Sequence, residues 1–484
     1  MSTDSYSTDP NIVFILSDDQ GPWAAGCYGN DEIETPNLDR LAAEGVRFTN
    51  AFCTSPVCSP SRASYLTGKL PSQHGVHDWI RNGNVPPGKG YREEADTEAW
   101  PAVPYLEQFP SYPSVLREYG YDCAMSGKWH LGESKTPQQG FDHWFAHQKG
   151  GGPYYDAPVV RNGEYENESR YITDVITDEA ISFLDEMRDP FYLSVHYTAP
   201  HSPWTRDGLA KREHPEAITE RYDDCAFKSC PQEPMHPNAT ELTHRCMGDH
   251  EALKGYFGAI TAMDEQIGRI LDYLEDTGIR DETLIVFTSD NGFSCGQHGF
   301  WGKGNGTYPL NMYENSVKVP FLVSHRTHIP EGHVTDAMIN GYDLMPTLLD
   351  YTGVPMPDDG PYPGESQAEV FRGESDSGRD AVVIHSEYGN VRMIRTHRWK
   401  YVHRYPHGPH ELFDLANDPD ERNNLVDNEE HVNRLTELRG RLARWFNEFV
   451  DPERDGTRFP VTGKGQKTRV DEQEVGENSF HGRN

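Results

Sequence analysis

Two apolar runs, each followed at once by acidic or amide side chains, constrain the fold of this chain more than any other feature. The run at 12–16 (IVFIL) leads into Ser-Asp-Asp, and the run at 284–288 (LIVFT) leads into Ser-Asp-Asn. Unbroken apolar runs of this length are typical of strands that are buried on both faces of a parallel sheet. Because the ligands of open α/β sheets collect at the carboxyl ends of the strands, we expect these polar side chains to share one edge.

Helical periodicity is found between these two runs. One helix is predicted to begin at Pro36, since proline suits the first turn, and to end at Gly45. A longer helix is predicted over 251–274, where apolar residues recur at helical spacing before Gly278. Strands that alternate with helices predict the α/β class.

The composition changes after residue 355, where a stretch rich in proline, glycine and acidic residues predicts a loop or linker. Beyond it, the pattern at 382–405 predicts short strands joined by turns, and 429–449 predicts one amphipathic helix. A small C-terminal α+β unit with an antiparallel sheet fits these patterns. We therefore divide the chain into a large α/β domain over 1–375, an α+β subdomain over 376–460, and a tail over 461–484 that has almost no core-forming side chains.

Net charge and hydropathy narrow the set of partners. The 484 residues include 44 Lys and Arg against 77 Asp and Glu, a formal net charge of −33, which argues against nucleic acid as a partner. No apolar run approaches the roughly 18 residues that cross a bilayer, so we expect no membrane segment. The polar start MSTDSYSTDP does not resemble a secretory signal, which favours a cytoplasmic protein, or a periplasmic or secreted one if this is a mature form. The sequence does not indicate the oligomeric state.

Hard oxygen ligands stand at both predicted strand ends, Asp18 and Asp19 after the first run and Asp290 and Asn291 after the second. Either pair alone is more often a helix or turn cap than a metal site. The repeated pattern changes this balance, because three carboxylates brought together repel one another unless a divalent cation holds them. Oxygen donors of this kind suit Ca²⁺ or Mg²⁺ better than zinc.

Basic side chains occur at comparable places along the chain. Lys128 and His130 lie in the stretch GKWHLG, His201 in PHSP, Lys303 in GKG, and Arg62 in SPSRAS. Taken singly, each is more often a solvated surface residue. Together they provide the cations and proton donors that an oxyanion substrate and its leaving group require. A metal ion among such groups predicts binding of a sulfuryl or phosphoryl group.

The stretch CSPSRASYLTG at 58–68 resembles the signature of the type I, formylglycine-dependent sulfatases of the alkaline phosphatase-like superfamily. The C-x-P-x-R core of that signature, here Cys58 to Arg62, is the part that the formylglycine-generating enzyme recognises. The resemblance extends from residue 11 to residue 419. It implies the fold of that superfamily, with a mixed, mostly parallel sheet between helices and a smaller C-terminal domain. It also implies that the maturation enzyme oxidises Cys58 to an aldehyde.

The same resemblance implies roles for the motif residues. Ca²⁺, with Mg²⁺ as the alternative ion, would be bound by the positions that correspond to the family's ligands: Asp18, Asp19, Cys58, Asp290 and Asn291. The family's catalytic positions correspond to Cys58, Arg62, Lys128, His130, His201, Asp290 and Lys303. In that scheme a hydroxyl of the hydrated aldehyde attacks sulfur, the aspartate accepts its proton, the cations neutralise the sulfate oxygens, and the histidines transfer protons to and from the other groups.

The substrate is constrained less tightly than the reaction. Four side chains next to motif residues are candidates for a polar, aromatic-lined pocket: Trp79, Arg81, Trp204 and His298. The lysine motifs are similar to those of sulfatases that act on sulfated saccharides. We therefore expect the substrate to be the sulfate ester of a saccharide, either a small molecule or an oligosaccharide. The alternatives are an aryl or alkyl sulfatase, a phosphonate monoester or phosphodiester hydrolase of the same fold, and a catalytically silent calcium-binding module.

Overall fold

A ten-stranded mixed sheet forms the centre of the molecule. The computed structural model describes residues 9–80, 103–205, 213–387, 389–470 and 479–480 of the chain. In chain order the strands are β1 (Asn11–Ser17), β2 (Val46–Phe52), β3 (Asp122–Lys128), β4 (His143–His147), β5 (Ala157–Arg161), β6 (Glu164–Glu168), β7 (Phe191–His196), β8 (Thr283–Ser289), β9 (Ser294–Cys295), β10 (Trp301–Gly302), β11 (Phe321–Ser324), β12 (His333–Asn340), β13 (Ala381–Ser386), β14 (Val391–Thr396), β15 (Trp399–Arg404) and β16 (Glu411–Asp414).

The order of strands in the large sheet is β12-β2-β11-β8-β1-β7-β3-β4-β5-β6. Its central strands β8, β1, β7, β3 and β4 are parallel to one another. β11 is antiparallel to both β8 and β2, and β5 and β6 form an antiparallel edge. The predicted α/β fold with a mixed, mostly parallel sheet is confirmed. Because β1 is covered on both faces, all seven of its residues are buried, which explains its unbroken apolar run.

Twelve α-helices accompany these strands in the described residues. They are α1 (Pro36–Ala43), α2 (Cys58–Thr67), α3 (Pro71–His74), α4 (Tyr112–Glu118), α5 (Ile172–Glu186), α6 (Glu216–Thr219), α7 (Glu241–Cys246), α8 (His250–Asp276), α9 (Glu314–Val317), α10 (Leu344–Tyr351), α11 (Ala368–Phe371) and α12 (Val432–Phe449). Both helices predicted before residue 280 are present as α1 and α8, within two residues of their expected bounds.

Helices cover both faces of the large sheet. Ile12, Phe14 and Leu16 of β1 face one side of the sheet, where they pack with α2, α4 and α10. Val13 and Ile15 face the opposite side, where α1, α5 and α8 complete the core. This division follows from the two-residue alternation of side chains along a strand.

The C-terminal part of the chain forms a second layer. β13 to β16 make a four-stranded antiparallel sheet, and α12 packs on it through Leu438, Leu442 and Phe446. This agrees with the predicted α+β unit, while the boundaries at 375 and 460 stay predictions. The described residues beyond 460 also pack, since Val461, Val470 and Phe480 form a small apolar cluster of their own. None of the helices in the described part of the chain is long and apolar enough to cross a membrane.

Candidate active site

The register of β1 and β8 brings the two acidic stretches together. Ser17 pairs with Ser289, so the residues that follow leave the parallel strands side by side. The amide N–H of Asp19 donates to Asp290 Oδ1 at 3.2 Å, and Asn291 Nδ2 donates to Asp19 Oδ1 at 2.7 Å. Asp19 has φ +70°, a backbone conformation that is uncommon for a residue with a side chain.

A four-residue donor set lies at this edge, and we call it the acidic cluster: Asp18, Asp19, Cys58 and Asp290. One potential ligand atom of each lies within 4.8 Å of those of the others, and all four residues are buried. Next to them, Asn291 Oδ1 is buried without a hydrogen-bond partner in the described residues. Buried carboxylates with an unpaired amide oxygen beside them suit a hard divalent cation, so the residues present fit a metal ion.

Three cations surround the acidic cluster. Lys128 Nζ lies 2.5 Å from Asp18 Oδ2, and Arg62 Nε donates to Asp290 Oδ2 at 2.9 Å. Lys303 Nζ pairs with Asp19 and lies 2.7 Å from Cys58 Sγ. Arg62 Nη2 is buried without a partner in the described residues and is available to an anion. Three cations therefore face three carboxylates, so the charges at the floor of the site are balanced although the chain as a whole is strongly acidic.

The three carboxyl groups of the acidic cluster differ in the direction of their pKa shifts. Burial and the neighbouring Asp290 raise the pKa of Asp18. Burial acts to raise the pKa of Asp290 as well, but Arg62 and Lys128 bring it below its usual range. Burial also acts to raise the pKa of Asp19, but Lys303 and His201 together bring it below its usual value. The three carboxyl groups therefore differ in how readily they ionise when no metal ion lies between them, as expected for a metal-binding cluster.

Cys58 begins α2 and is buried within the cluster. Its Sγ lies 3.5 Å from Asp18 Oδ1. Burial raises the pKa of the Cys58 thiol to about 12 even though Lys128 and Lys303 act to lower it. Since the thiolate is the nucleophilic form of cysteine, an unmodified Cys58 is a poor nucleophile near pH 7.

His130 follows β3, and its imidazole has a defined orientation. Its Nε2 lies 2.9 Å from the carbonyl oxygen of Ile80. A carbonyl oxygen only accepts, so Nε2 carries the proton of the neutral ring and Nδ1 carries the lone pair. Nδ1 is buried without a partner in the described residues, and burial lowers the pKa of His130 well below its usual value. The ring is therefore neutral near pH 7 and can accept a proton at Nδ1.

His201 lies on the other side of the cluster and is more accessible. Its Nε2 is 3.7 Å from Asp19 Oδ2, and its side chain is 24% exposed. Its Nδ1 is 2.8 Å from the carbonyl oxygen of Ser202, so Nδ1 carries a proton in either charge state. Nε2 is then the atom that can exchange a proton with a ligand.

A run of three glycines lies against both imidazoles. A Cβ at Gly150 would lie 2.2 Å from His130 Nε2, and a Cβ at Gly151 would lie 2.5 Å from the ring of His201. Only glycine lets the backbone approach both rings this closely. These glycines were not among the predicted site residues, although the run itself is a visible signal in the sequence.

A cavity of about 400 Å³ opens above the cluster. Cys58, His130, His201 and Lys303 are among the residues that line it. Gln148, Lys149 and Asn305, which the sequence analysis missed, also line it, together with Trp79, Ile80 and the glycine run. The walls thus combine polar groups with apolar ones, among them the indole ring of Trp79.

The four predicted substrate-binding residues divide between different places. Trp79 lines the cavity. His298 does not line it and stacks on Tyr313, with ring centroids 4.0 Å apart. Trp204 packs in an aromatic cluster with Trp301 outside the cavity. Arg81 lies outside the described residues. Sequence adjacency to a motif was a poor guide to these positions, because consecutive loop residues point in different directions.

Comparison with known proteins gives one consistent family. The model of the sulfatase family matches residues 10–354, and the model of the C-terminal region of N-sulphoglucosamine sulphohydrolase matches 296–448. An N-acetylglucosamine-6-O-sulfatase of Bacteroides thetaiotaomicron is 30% identical over 92% of this chain and 88% of that relative. An ulvan-active sulfatase of Formosa agariphila is 31% identical over 92% of this chain and 82% of its own length. A solved structure of a protein in complex with its substrate, D-glucosamine-2-N,6-O-disulfate, superposes with a TM-score of 0.71 at 28% identity, covering 92% of this chain and 99% of that one.

Proposed function

The chain belongs to the sulfatase family and is a sulfuric ester hydrolase, and from this premise we propose that it hydrolyses a sulfate ester of a saccharide, using a formylglycine made from Cys58 and a bound calcium ion. The observation that carries the proposal is the acidic cluster at the floor of the cavity, with Cys58 among its members. Asp18, Asp19, Asp290 and the unpaired oxygen of Asn291 are the groups that would hold the ion.

When bound, the ion and the aldehyde made from Cys58 would supply an activated oxygen nucleophile near neutral pH. Charge neutralisation and proton transfer depend on side chains of the protein itself. Arg62, Lys128 and Lys303 neutralise the negative charge on the sulfate oxygens, which a low-dielectric site makes more effective than in water. Their ion pairs with the acidic cluster hold all three side chains at the floor of the site.

Proton transfer divides between the two histidines. His201 Nε2 faces the cluster from the accessible side, which suits a proton donor to the leaving alcohol of the substrate. His130 is neutral and presents a lone pair at Nδ1, which suits a proton acceptor in the release of sulfate. The two rings therefore have opposite roles because their environments differ.

A saccharide fits the walls of the cavity. Gln148 is buried, and its Nε2 has no hydrogen-bond partner in the described residues, so a donor is available for a sugar hydroxyl or acidic group. Lys149 and Asn305 add further polar groups, and Trp79 adds an aromatic surface. Binding sites that combine polar groups with an aromatic wall are suited to ligands of mixed character such as sugars. The relatives named above that act on sulfated sugars support this substrate class.

The test begins with the protein produced together with a formylglycine-generating enzyme. We expect the tryptic peptide that contains Cys58 to show the mass of the aldehyde, and the protein to release sulfate from N-acetylglucosamine-6-sulfate. A matched pair of aryl sulfate and aryl phosphonate separates a sulfatase from a phosphonate hydrolase. The Cys58→Ala variant is the control and is expected to be inactive. An unmodified thiol, or activity that persists in Cys58→Ala, would contradict the proposed chemistry.

A further inference from the structure

The segment at 459–470, which we call the tail segment, runs along the outer side of the cavity wall formed by Trp79 and Ile80. Residue 466 forms a parallel bridge with Ile80. Gln466 is completely buried although it lies close to the C-terminal end of the chain. A buried amide side chain in a segment with few apolar residues needs a specific reason, because burial costs energy unless its hydrogen bonds are made.

The carboxamide of Gln466 binds the backbone at 75–78. Its Oε1 accepts from the N–H of His77 at 2.8 Å and of Asp78 at 3.3 Å. Its Nε2 donates to the carbonyl oxygen of Gly75 at 2.9 Å and to that of Thr468 at 3.0 Å. Both ends of the side chain are thus used, and three of the four bonds go to the short stretch that leads directly into the cavity wall at Trp79 and Ile80.

The backbone of the tail segment adds further bonds to the same wall. Gln466 N–H donates to the carbonyl oxygen of Trp79 at 2.8 Å. The indole Nε1 of Trp79 donates to the carbonyl oxygen of Gly463 at 3.3 Å. In return, Asp78 Oδ2 accepts from the N–H groups of Gly463 at 2.8 Å and Gly465 at 3.2 Å. The wall and the tail segment therefore form one hydrogen-bonded unit.

Ile80 connects this unit to the reacting groups. Its carbonyl oxygen accepts from His130 Nε2 at 2.9 Å, and its N–H donates to Ser59 Oγ at 3.1 Å. Ser59 Oγ in turn donates to the carbonyl oxygen of His130 at 2.9 Å, and Ser59 is the neighbour of Cys58. The position of Ile80 thus sets the orientation of the His130 ring, including which nitrogen carries the proton.

We propose that Gln466 is a positioning residue of the active site, which holds residues 75–80 so that Trp79 faces the substrate and Ile80 orients His130. The tail segment then supports the cavity wall and is needed for full activity. This inference rests on the proposed function, because it assigns Gln466 to the reaction at that site. Partners that orient functional groups from outside the first layer of contacts typically change activity by about 10- to 100-fold when removed.

The experiment compares Gln466→Met, which keeps the size of the side chain and removes its hydrogen bonds, with Thr468→Val as the matched control. Thr468 Oγ1 donates to Ser479 Oγ at 3.1 Å, and among the described residues its side chain forms no hydrogen bond with 75–80. Both variants are produced in the modified form. We expect kcat of Gln466→Met to fall by about tenfold, with a smaller change in KM, and kcat of Thr468→Val to stay within about twofold of the wild type.

Hydrogen exchange provides a readout that needs no substrate. In Gln466→Met the amides of His77 and Asp78 are expected to exchange faster than in the wild type, and in Thr468→Val they are expected to be unchanged. If Gln466→Met does not fold, Gln466→Glu replaces it, since it keeps an acceptor for His77 and loses the donor to Gly75. Wild-type kcat in the variant, or unchanged exchange at 75–80, overturns the inference. A modified wild-type protein that releases no sulfate overturns the proposed function instead, while the exchange result still decides whether Gln466 holds the wall.

Discussion

At the scale of single residues, Gly151 shows that the absence of a side chain can determine the position of a catalytic group. Its Cα lies where a Cβ would meet the His201 ring at 2.5 Å. The neighbouring Gly150 has the same relation to His130. The two imidazoles therefore lie between the acidic cluster and the backbone of the glycine run. A side chain at Gly150 or Gly151 would displace the adjacent ring.

We predict that Gly151→Ala lowers kcat/KM by about 100-fold, because displacing a catalytic group by about 1 Å has an effect of this size. Steady-state kinetics of the modified enzyme measures it. The control is Gly440→Ala in α12, where a Cβ would meet only the end of Arg444 at 3.3 Å, and alanine there is expected to leave activity unchanged. Equal activity of the two variants would show that the glycine run does not position His201.

Metal binding is a second prediction at this scale. Calcium added at about 100 times its Kd is expected to stabilise the folded protein by about 2.7 kcal/mol, and a chelator is expected to reverse the rise in Tm. Asp18→Asn should abolish most of this response, since Asp18 is one of the four members of the cluster. Differential scanning calorimetry with and without calcium measures both. A variant that keeps the full shift would place the ion elsewhere.

At the scale of elements, the periodic segments were predictable and the irregular ones were not. α8 was expected over 251–274 and spans His250–Asp276, with Asp249 as its N-cap. α12 begins at Val432 and not at 429, because residues 429–431 form a separate short 3₁₀ turn. The tail over 461–484 was predicted to have almost no core-forming side chains, yet Gln466 and the apolar cluster of Val461, Val470 and Phe480 are buried there. Neither apolar periodicity nor turn residues reveal a segment that is held in this way.

Asp78 gives this contact between wall and tail a pH dependence. Burial raises the pKa of Asp78 to about 7, although the N–H groups of Gly463 and Gly465 act to lower it. A carboxyl group whose pKa is higher in the folded state stabilises the fold below its unfolded pKa and loses that contribution as the pH rises through the folded value. The free energy of unfolding should therefore fall by up to about 4 kcal/mol between about pH 4 and pH 8 from this group alone.

The measurement is urea unfolding at pH 5 and pH 8 for the wild type and Asp78→Asn. Asparagine cannot ionise, so the variant is expected to lose less stability between the two pH values than the wild type. The difference between the two proteins isolates Asp78 from other titrating groups. Parallel changes in both would mean that Asp78 is ionised in the folded protein throughout this range.

At the scale of the whole molecule, a buried ion network joins the two sheets. Lys400 of β15 lies 2.8 Å from Glu314 of α9 and 2.5 Å from Glu421. Its Nζ also donates to the carbonyl oxygen of Met312 at 2.8 Å. Lys400 thus pairs with both carboxylates, and Arg395 and Lys318 also pair with Glu314. Glu314 of α9 is thereby connected to the C-terminal sheet.

We predict that Lys400→Met destabilises the protein by about 3–5 kcal/mol, because it leaves the buried carboxyl group of Glu421 without the cation that pairs with it. Lys254→Met is the control, since its partners Asp223 and Glu251 are 54% and 69% exposed and such pairs contribute about 1 kcal/mol or less. Chemical denaturation measures both. An equal effect of the two substitutions would mean that the network does not hold the sheets together.

The sequence by itself determined the α/β class, the two acidic strand ends and the family, because these depend on local patterns: apolar runs of strand length, helical periodicity and the five residues from Cys58 to Arg62. Only the tertiary structure decided which other residues face the cavity. His298 and Trp204 follow motif residues yet lie outside it, whereas Gln148, Lys149 and Asn305 line it although none of them was among the predicted site residues. The contact of Gln466 with residues 75–80 joins positions about 390 apart in the chain. Contacts of that kind depend on how the elements pack, and no local pattern encodes them.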